Sequence, residues 1–85
     1  MTEQDLHALI VEEIGNIAPE ADTSRLGDDA DIREALDLDS MDVFNLVVAL
    51  SKRLKMDIPD IDVPHMLTLT GGVTYLAERL RTPPA

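Results

Sequence analysis

Residues 37–50, DLDSMDVFNLVVAL, place a single hydroxyl, Ser40, between two carboxylates, Asp39 and Asp42, where an apolar run with helical spacing begins. Two chemistries suit a serine there. Its oxygen can cap the helix by accepting a hydrogen bond from a backbone N–H of the first turn. It can also be the point at which a group is attached. Asp39 is an equally good cap, and if it takes that duty Ser40 becomes the first helical residue, with its hydroxyl turned outward. A phosphodiester on that oxygen would lie beside unpaired backbone N–H groups and the positive end of the helix dipole, a place suited to an anion. The residues alone leave both readings open.

Other chemistries fit less well. DDADIREALDLD suggests a calcium loop, but with Asp29 first and Asp31 third, Arg33 falls at the fifth position and Glu34 where glycine is required. His7 and His65 fall on different predicted helices, each without a second ligand four residues on, so they read as surface residues and no metal site is expected. Gly71 and Gly72 lack the lysine and preceding strand of a phosphate loop. A serine hydrolase would need a histidine base near Ser40 and an oxyanion hole, and the strand, elbow and glycines of that arrangement are missing from the sequence. No catalytic residue is assigned, and an enzyme is disfavoured.

Size and composition point the same way. Eighty-five residues make one domain with a single small core, too short for a deep, multiply supported cleft. Without cysteine the fold rests on packing alone, and no protein thiolate is available as a nucleophile. The N-terminal MTEQDLHALI carries acids where a secretory signal needs positive charge, and no apolar run approaches the roughly 20 residues of a membrane span, so a cytoplasmic protein without membrane insertion is expected. The net charge of −10 opposes nucleic acid and favours basic protein partners. It is uneven: residues 1–51 hold 13 acids and 2 bases, net −11, while residues 52–85 hold 4 acids and 5 bases, net +1. With one Phe, one Tyr and no Trp, the core must be aliphatic.

The elements that position Ser40 follow from periodicity. Thr2 and Asp5 form a capping-box pattern ahead of Leu6, Leu9, Ile10, Ile14 and Ile17, which predicts a helix over 3–17 closed by Pro19. Residues 18–35 read as a long polar loop, with a short helical turn at Ile32–Leu36. From Ser40, a second helix of about 15 residues carries Val43, Leu46, Val47, Leu50 and Leu54 inward, with Phe44 suited to either the partner face or the core, the core favoured, and Pro59 as its stop. DIDVPHML suggests a short third helix capped by Asp60 or Asp62, with Pro64 near its first turn. Thr70 opens a last helix, weakened by Gly71 and Gly72, with Val73, Leu76, Ala77 and Leu80 as its buried stripe. The expected fold is all-α: a four-helix bundle of three longer helices and one short one over residues 1–82, followed by a frayed tail at 83–85.

At residues 36–59, LDLDSMDVFNLVVALSKRLKMDIP, the chain resembles the modification region of acyl carrier proteins: a DSM serine, an acid two residues on, an apolar second helix and a closing IP. The resemblance extends over the whole chain, through LTLTGGVTYLAERL. It implies that Ser40 carries covalent 4′-phosphopantetheine, transferred from coenzyme A by a magnesium-dependent phosphopantetheinyl transferase, and that acyl groups ride as thioesters on the thiol of that arm. It further implies a monomeric carrier for acyl-loading and acyl-transfer enzymes with basic docking patches, in fatty acid, polyketide or related lipid biosynthesis. Docking would fall to Asp37, Asp39, Met41, Asp42, Asn45, Val48 and Lys52. The acyl pocket would lie between the second and third helices, near Met41, Phe44, Val47, Ile61 and Met66. The sequence departs from the family at Asn45, usually Glu, and at the basic SKRLK of 51–55, which suggests partners other than the standard ones. The rival reading from another class is a non-covalent acidic helical adaptor that binds through its Met41 and Val48 face, with Ser40 serving only as a cap.

Overall fold

A computed structural model describes residues 1–81, so the expected tail at 83–85 lies outside the described residues. Helices α1 (Glu3–Ile17), α2 (Ile32–Leu36), α3 (Ser40–Leu54) and α4 (Leu69–Arg81) are joined by a 3-10 turn at Thr23–Arg25 and a 3-10 helix at Asp60–Met66, with no strand among the described residues. The all-helical class is as expected. α1 packs against both α3 and α4, and α4 carries the 3-10 helix Asp60–Met66 on its side.

Each helix begins and ends for a local reason. Thr2 Oγ1 accepts from the Asp5 N–H at 3.0 Å while Asp5 Oδ2 accepts from the Thr2 N–H at 3.1 Å, the reciprocal box that the sequence suggested. α3 ends at Lys55, which adopts a left-handed conformation (φ 53°) and donates its N–H to the Ser51 carbonyl. The expected stop at Pro59 is therefore corrected: the chain turns four residues earlier.

The short helix also differs from expectation. It winds as a 3-10 helix in which Pro64 stands fifth of seven residues, and neither Asp60 nor Asp62 caps it, because the N-cap position is Pro59. A proline disfavours α conformation in the residue before it and has no N–H of its own to donate. Asp62 is used sideways instead: it accepts from the Tyr75 hydroxyl at 2.7 Å and pairs with Arg79 at 3.5 Å. Arg79 also donates to the Asp57 carbonyl at 2.9 Å, and the His65 ring stacks on Tyr75.

α4 starts one residue before Thr70, with the Gly71 N–H donating to Thr68 Oγ1 at 2.9 Å. Its buried face is Leu69, Gly72, Val73 and Leu76, with Ala77 half-buried. Leu80, expected on that stripe, is 41% exposed because the last turn runs past the elements that cover the rest. The two glycines mark close approaches. A Cβ on Gly71 would stand 2.6 Å from the His65 carbonyl oxygen, and one on Gly72 would stand 3.2 Å from Ile10 Cδ1.

The core is aliphatic, drawing Leu6, Leu9, Ile10 and Ile14 from α1, Leu46, Val47 and Leu50 from α3, and Met66, Leu69 and Leu76 from the last third of the chain. Glu13 is the one buried charged residue among those described. It accepts from Arg53 at 3.2 Å and Asn16 at 3.0 Å, which offsets the cost of burying a carboxylate. Arg53 thus ties the end of α3 to α1, whereas Lys52 and Lys55 have no ion-pair partner among the described residues.

Candidate functional site at the start of helix α3

The long loop is held in place by three contacts: the Ile32 N–H donates to the Leu67 carbonyl at 2.9 Å, the Thr70 N–H to the Asp28 carbonyl at 3.0 Å, and His7 pairs with Asp28 at 3.1 Å. These pin α2 beside the end of the 3-10 helix. α2 then ends at Asp37, left-handed at φ 55°, whose N–H returns to the Arg33 carbonyl. The chain reverses there, buries Leu38 and enters α3.

At that entry Asp39 is the cap. Its Oδ1 accepts from the Asp42 N–H at 2.8 Å, and Asp42 Oδ2 accepts from the Asp39 N–H at 3.2 Å. Ser40 is consequently the first helical residue, exposed, with no hydrogen bond to its hydroxyl among the described residues. Among the described residues the Ser40 and Met41 amides likewise have no protein acceptor, so two free donors flank the hydroxyl at the positive end of the helix. Residues with these properties fit a phosphodiester on Ser40.

The remaining sequence-assigned residues separate by face. Asp37, Asp39, Met41, Asn45 and Lys52 are exposed, and Asp42 and Val48 are half-buried. Phe44 is 54% exposed, so of its two expected roles the favoured one, in the core, is corrected: Val43, Leu46, Val47 and Leu50 occupy the inward stripe and leave Phe44 on the outer edge. The five residues assigned to an acyl pocket are not brought together. Val47 and Met66 lie in the core, whereas Met41 is 60% and Ile61 83% exposed.

A cleft of about 300 Å³ does open beside Ser40, between α3 and the 3-10 helix, lined by Arg33, Ser40, Val43, Phe44, Val63, Pro64 and Leu67. Of the assigned pocket residues it contains Phe44. Val43 is buried yet stands outside the main core cluster, on this wall. A larger cavity, about 450 Å³, lies between the loop after α1 and the start of α3, with Asp37 and Asp42 but not Ser40 in its lining.

Sequence reasoning missed Arg33, Val63, Pro64 and Leu67. The signal for Arg33 was its rarity, as one of 2 bases among the first 51 residues. Its Nε and Nη2 donate to Asp31 at 3.1 and 2.8 Å, and these bonds, with the Arg33 backbone N–H, lower the Asp31 carboxyl to about 2. Among the described residues no cluster of His, Cys, Asp or Glu could hold a metal ion, and no helix is long and apolar enough to cross a membrane.

A small helical domain with an exposed hydroxyl at a helix start and acids around it has the arrangement a carrier domain would use. Residues 4–68 match the family of phosphopantetheine attachment sites. The chain is 32% identical to an acyl carrier protein of Campylobacter hominis over 86% of each chain. It is 31% identical to that of Campylobacter jejuni over 88% of this chain and 91% of the other, and 27% identical to that of Chlamydia caviae over 91% and 94%. The chain belongs to the acyl carrier protein family. Its cofactor is covalent 4′-phosphopantetheine, and it is a carrier, not an enzyme.

Proposed function

We propose that Ser40 is the residue that takes the 4′-phosphopantetheine arm, and that the protein presents acyl or related carboxylic intermediates to partner enzymes of fatty acid, polyketide or related lipid biosynthesis in the cytoplasm. The observation that carries this reading is the division of labour at the start of α3: Asp39 and Asp42 cap the helix between them and leave the Ser40 hydroxyl exposed and unbonded.

In the loading step the Ser40 oxygen forms a bond to the phosphorus of coenzyme A that bears the pantetheine, the pyrophosphate P–O bond breaks, and the nucleotide part leaves. The hydroxyl proton passes to a base of the transferase. When bound, the arm supplies the thiol on which a carboxylic cargo is held as a thioester. The chain's own residues rigidly present the oxygen, and the free Ser40 and Met41 amides stabilise the charge of the new phosphodiester.

Incubation with coenzyme A and a broad-specificity phosphopantetheinyl transferase, followed by intact-mass measurement, tests the proposal. Wild type gains the phosphopantetheine mass and Ser40→Ala does not; an unmodified wild type, or a modified Ser40→Ala, overturns it. Under the adaptor reading Ser40 is never loaded and its removal costs roughly 0.5–2 kcal/mol of stability.

Partner docking belongs to the same proposal. Asp37, Asp39 and Asp42 approach basic patches electrostatically, with Met41, Asn45, Val48 and Lys52 extending the surface along α3. Asp42→Asn keeps an acceptor for the capping box while removing the charge, so loading slows more at low salt than at high salt. A slowing that salt does not alter would contradict electrostatic docking.

A further inference from the structure

The cleft beside Ser40 is lined by five apolar side chains and by Arg33. The five are Val43, Phe44, Val63, Pro64 and Leu67, and Ser40 itself is part of the lining. Whatever is joined to the Ser40 oxygen therefore starts on the wall of this cleft.

Arg33 is placed against the grain of its surroundings. Residues 1–51 hold 13 acids and only 2 bases, and one of those two lines the cleft that Ser40 shares. Two of its N–H groups go to Asp31. An arginine side chain has five, so three remain for another acceptor. A phosphodiester on Ser40 would meet Asp39 and Asp42 nearby, and Arg33, which lines the same cleft, would offset that repulsion.

Resting on the reading that Ser40 is the attachment point, we propose that the arm does not swing free from its root. Its phosphodiester pairs with Arg33, and its first apolar segment, the carbon bearing two methyl groups, lies between Phe44 and the side chains of Val63 and Leu67. About 300 Å³ is at the small end of ligand sites, a size for the arm's proximal part and not for a long acyl chain. The exposed Phe44 gains a partner by this arrangement. Val63, Pro64 and Leu67 gain a use, as the wall that faces α3.

The test uses the loaded protein, with loading established first by intact mass. In isotope-labelled holo protein, the methyl protons of the arm show nuclear Overhauser contacts to the Phe44 ring and to the Val63 and Leu67 methyls. In Arg33→Ala, still loaded by mass, those contacts weaken about threefold to tenfold, the loss of one charge-assisted pair to phosphate. Asp31→Asn keeps the acceptor that caps α2 but releases Arg33, so the contacts persist, which separates the role of the arginine from that of its ion pair. A loaded wild type without these contacts, or contacts of equal strength in Arg33→Ala, overturns the inference and leaves the Ser40 assignment standing. Equal loss in Asp31→Asn and Arg33→Ala also overturns it, because the effect would then come from α2. Failure to load at Ser40 removes both.

Discussion

The 3-10 helix Asp60–Met66 has two unlike sides. Toward α4 it is fastened: Asp62 accepts from Tyr75, His65 stacks on the same ring, Arg79 reaches across to Asp57 and Asp62, and the His65 carbonyl fits against Gly71. Toward α3 it faces a cleft, with Val63, Pro64 and Leu67 on its own wall and Ser40, Val43 and Phe44 opposite. One side holds the element still and the other leaves room next to the Ser40 hydroxyl. The difference implies that the side facing α4 contributes more to stability than the side facing the cleft.

The largest stability effect should therefore come from the fastened side. Gly71→Ala drives a Cβ to 2.6 Å from a backbone oxygen, and the gain in helix propensity does not offset it; denaturant unfolding should show a loss of about 1–3 kcal/mol. A neutral or stabilised Gly71→Ala would break the comparison. Next comes Tyr75→Phe, which deletes the bond to Asp62 and should cost about 1 kcal/mol, against a change within about 0.5 kcal/mol for Phe44→Ala on the open side. Equal losses from the two would show that the cleft wall is as tightly packed as the α4 side.

The smallest effect is a titration at the cleft's edge. Hydrogen bonds from Arg33 hold the Asp31 carboxyl at about 2, below its ordinary 3.8. A carboxyl lowered in the folded state contributes stability that is present above pH 3.8 and is lost as pH falls toward about 2. Followed by carboxyl carbon shifts, Asp31 should titrate near 2 in wild type and move back up in Arg33→Ala. An unchanged midpoint would contradict the pairing that orients the arginine.

What could be read from the sequence was local. Thr2 with Asp5, and Asp39 ahead of Ser40, specify their caps within four residues, and the inward stripe of α3 at Val43, Leu46, Val47 and Leu50 follows from helical spacing alone. What could not be read depended on where distant pieces meet. Phe44 is as apolar as its neighbours, and nothing in the spacing says that the short helix stops short of covering it. Asp62 looked like a cap until Tyr75, 13 residues on, claimed its oxygen. The glycines at 71 and 72 read as a weak helix start, and only packing shows that they make room for a carbonyl and for Ile10. Arg33 was missed despite its rarity as a base, because its place on the cleft that Ser40 shares depends on the Ile32 to Leu67 bond across the fold.

Asp39 caps α3, and we propose attachment at the adjacent Ser40. Fragmentation of the transferase-loaded protein in a mass spectrometer locates the added group directly. The account predicts that all of the phosphopantetheine is found on Ser40, with none on Ser24, Ser51 or any threonine or tyrosine; a modified residue elsewhere in the chain would contradict it.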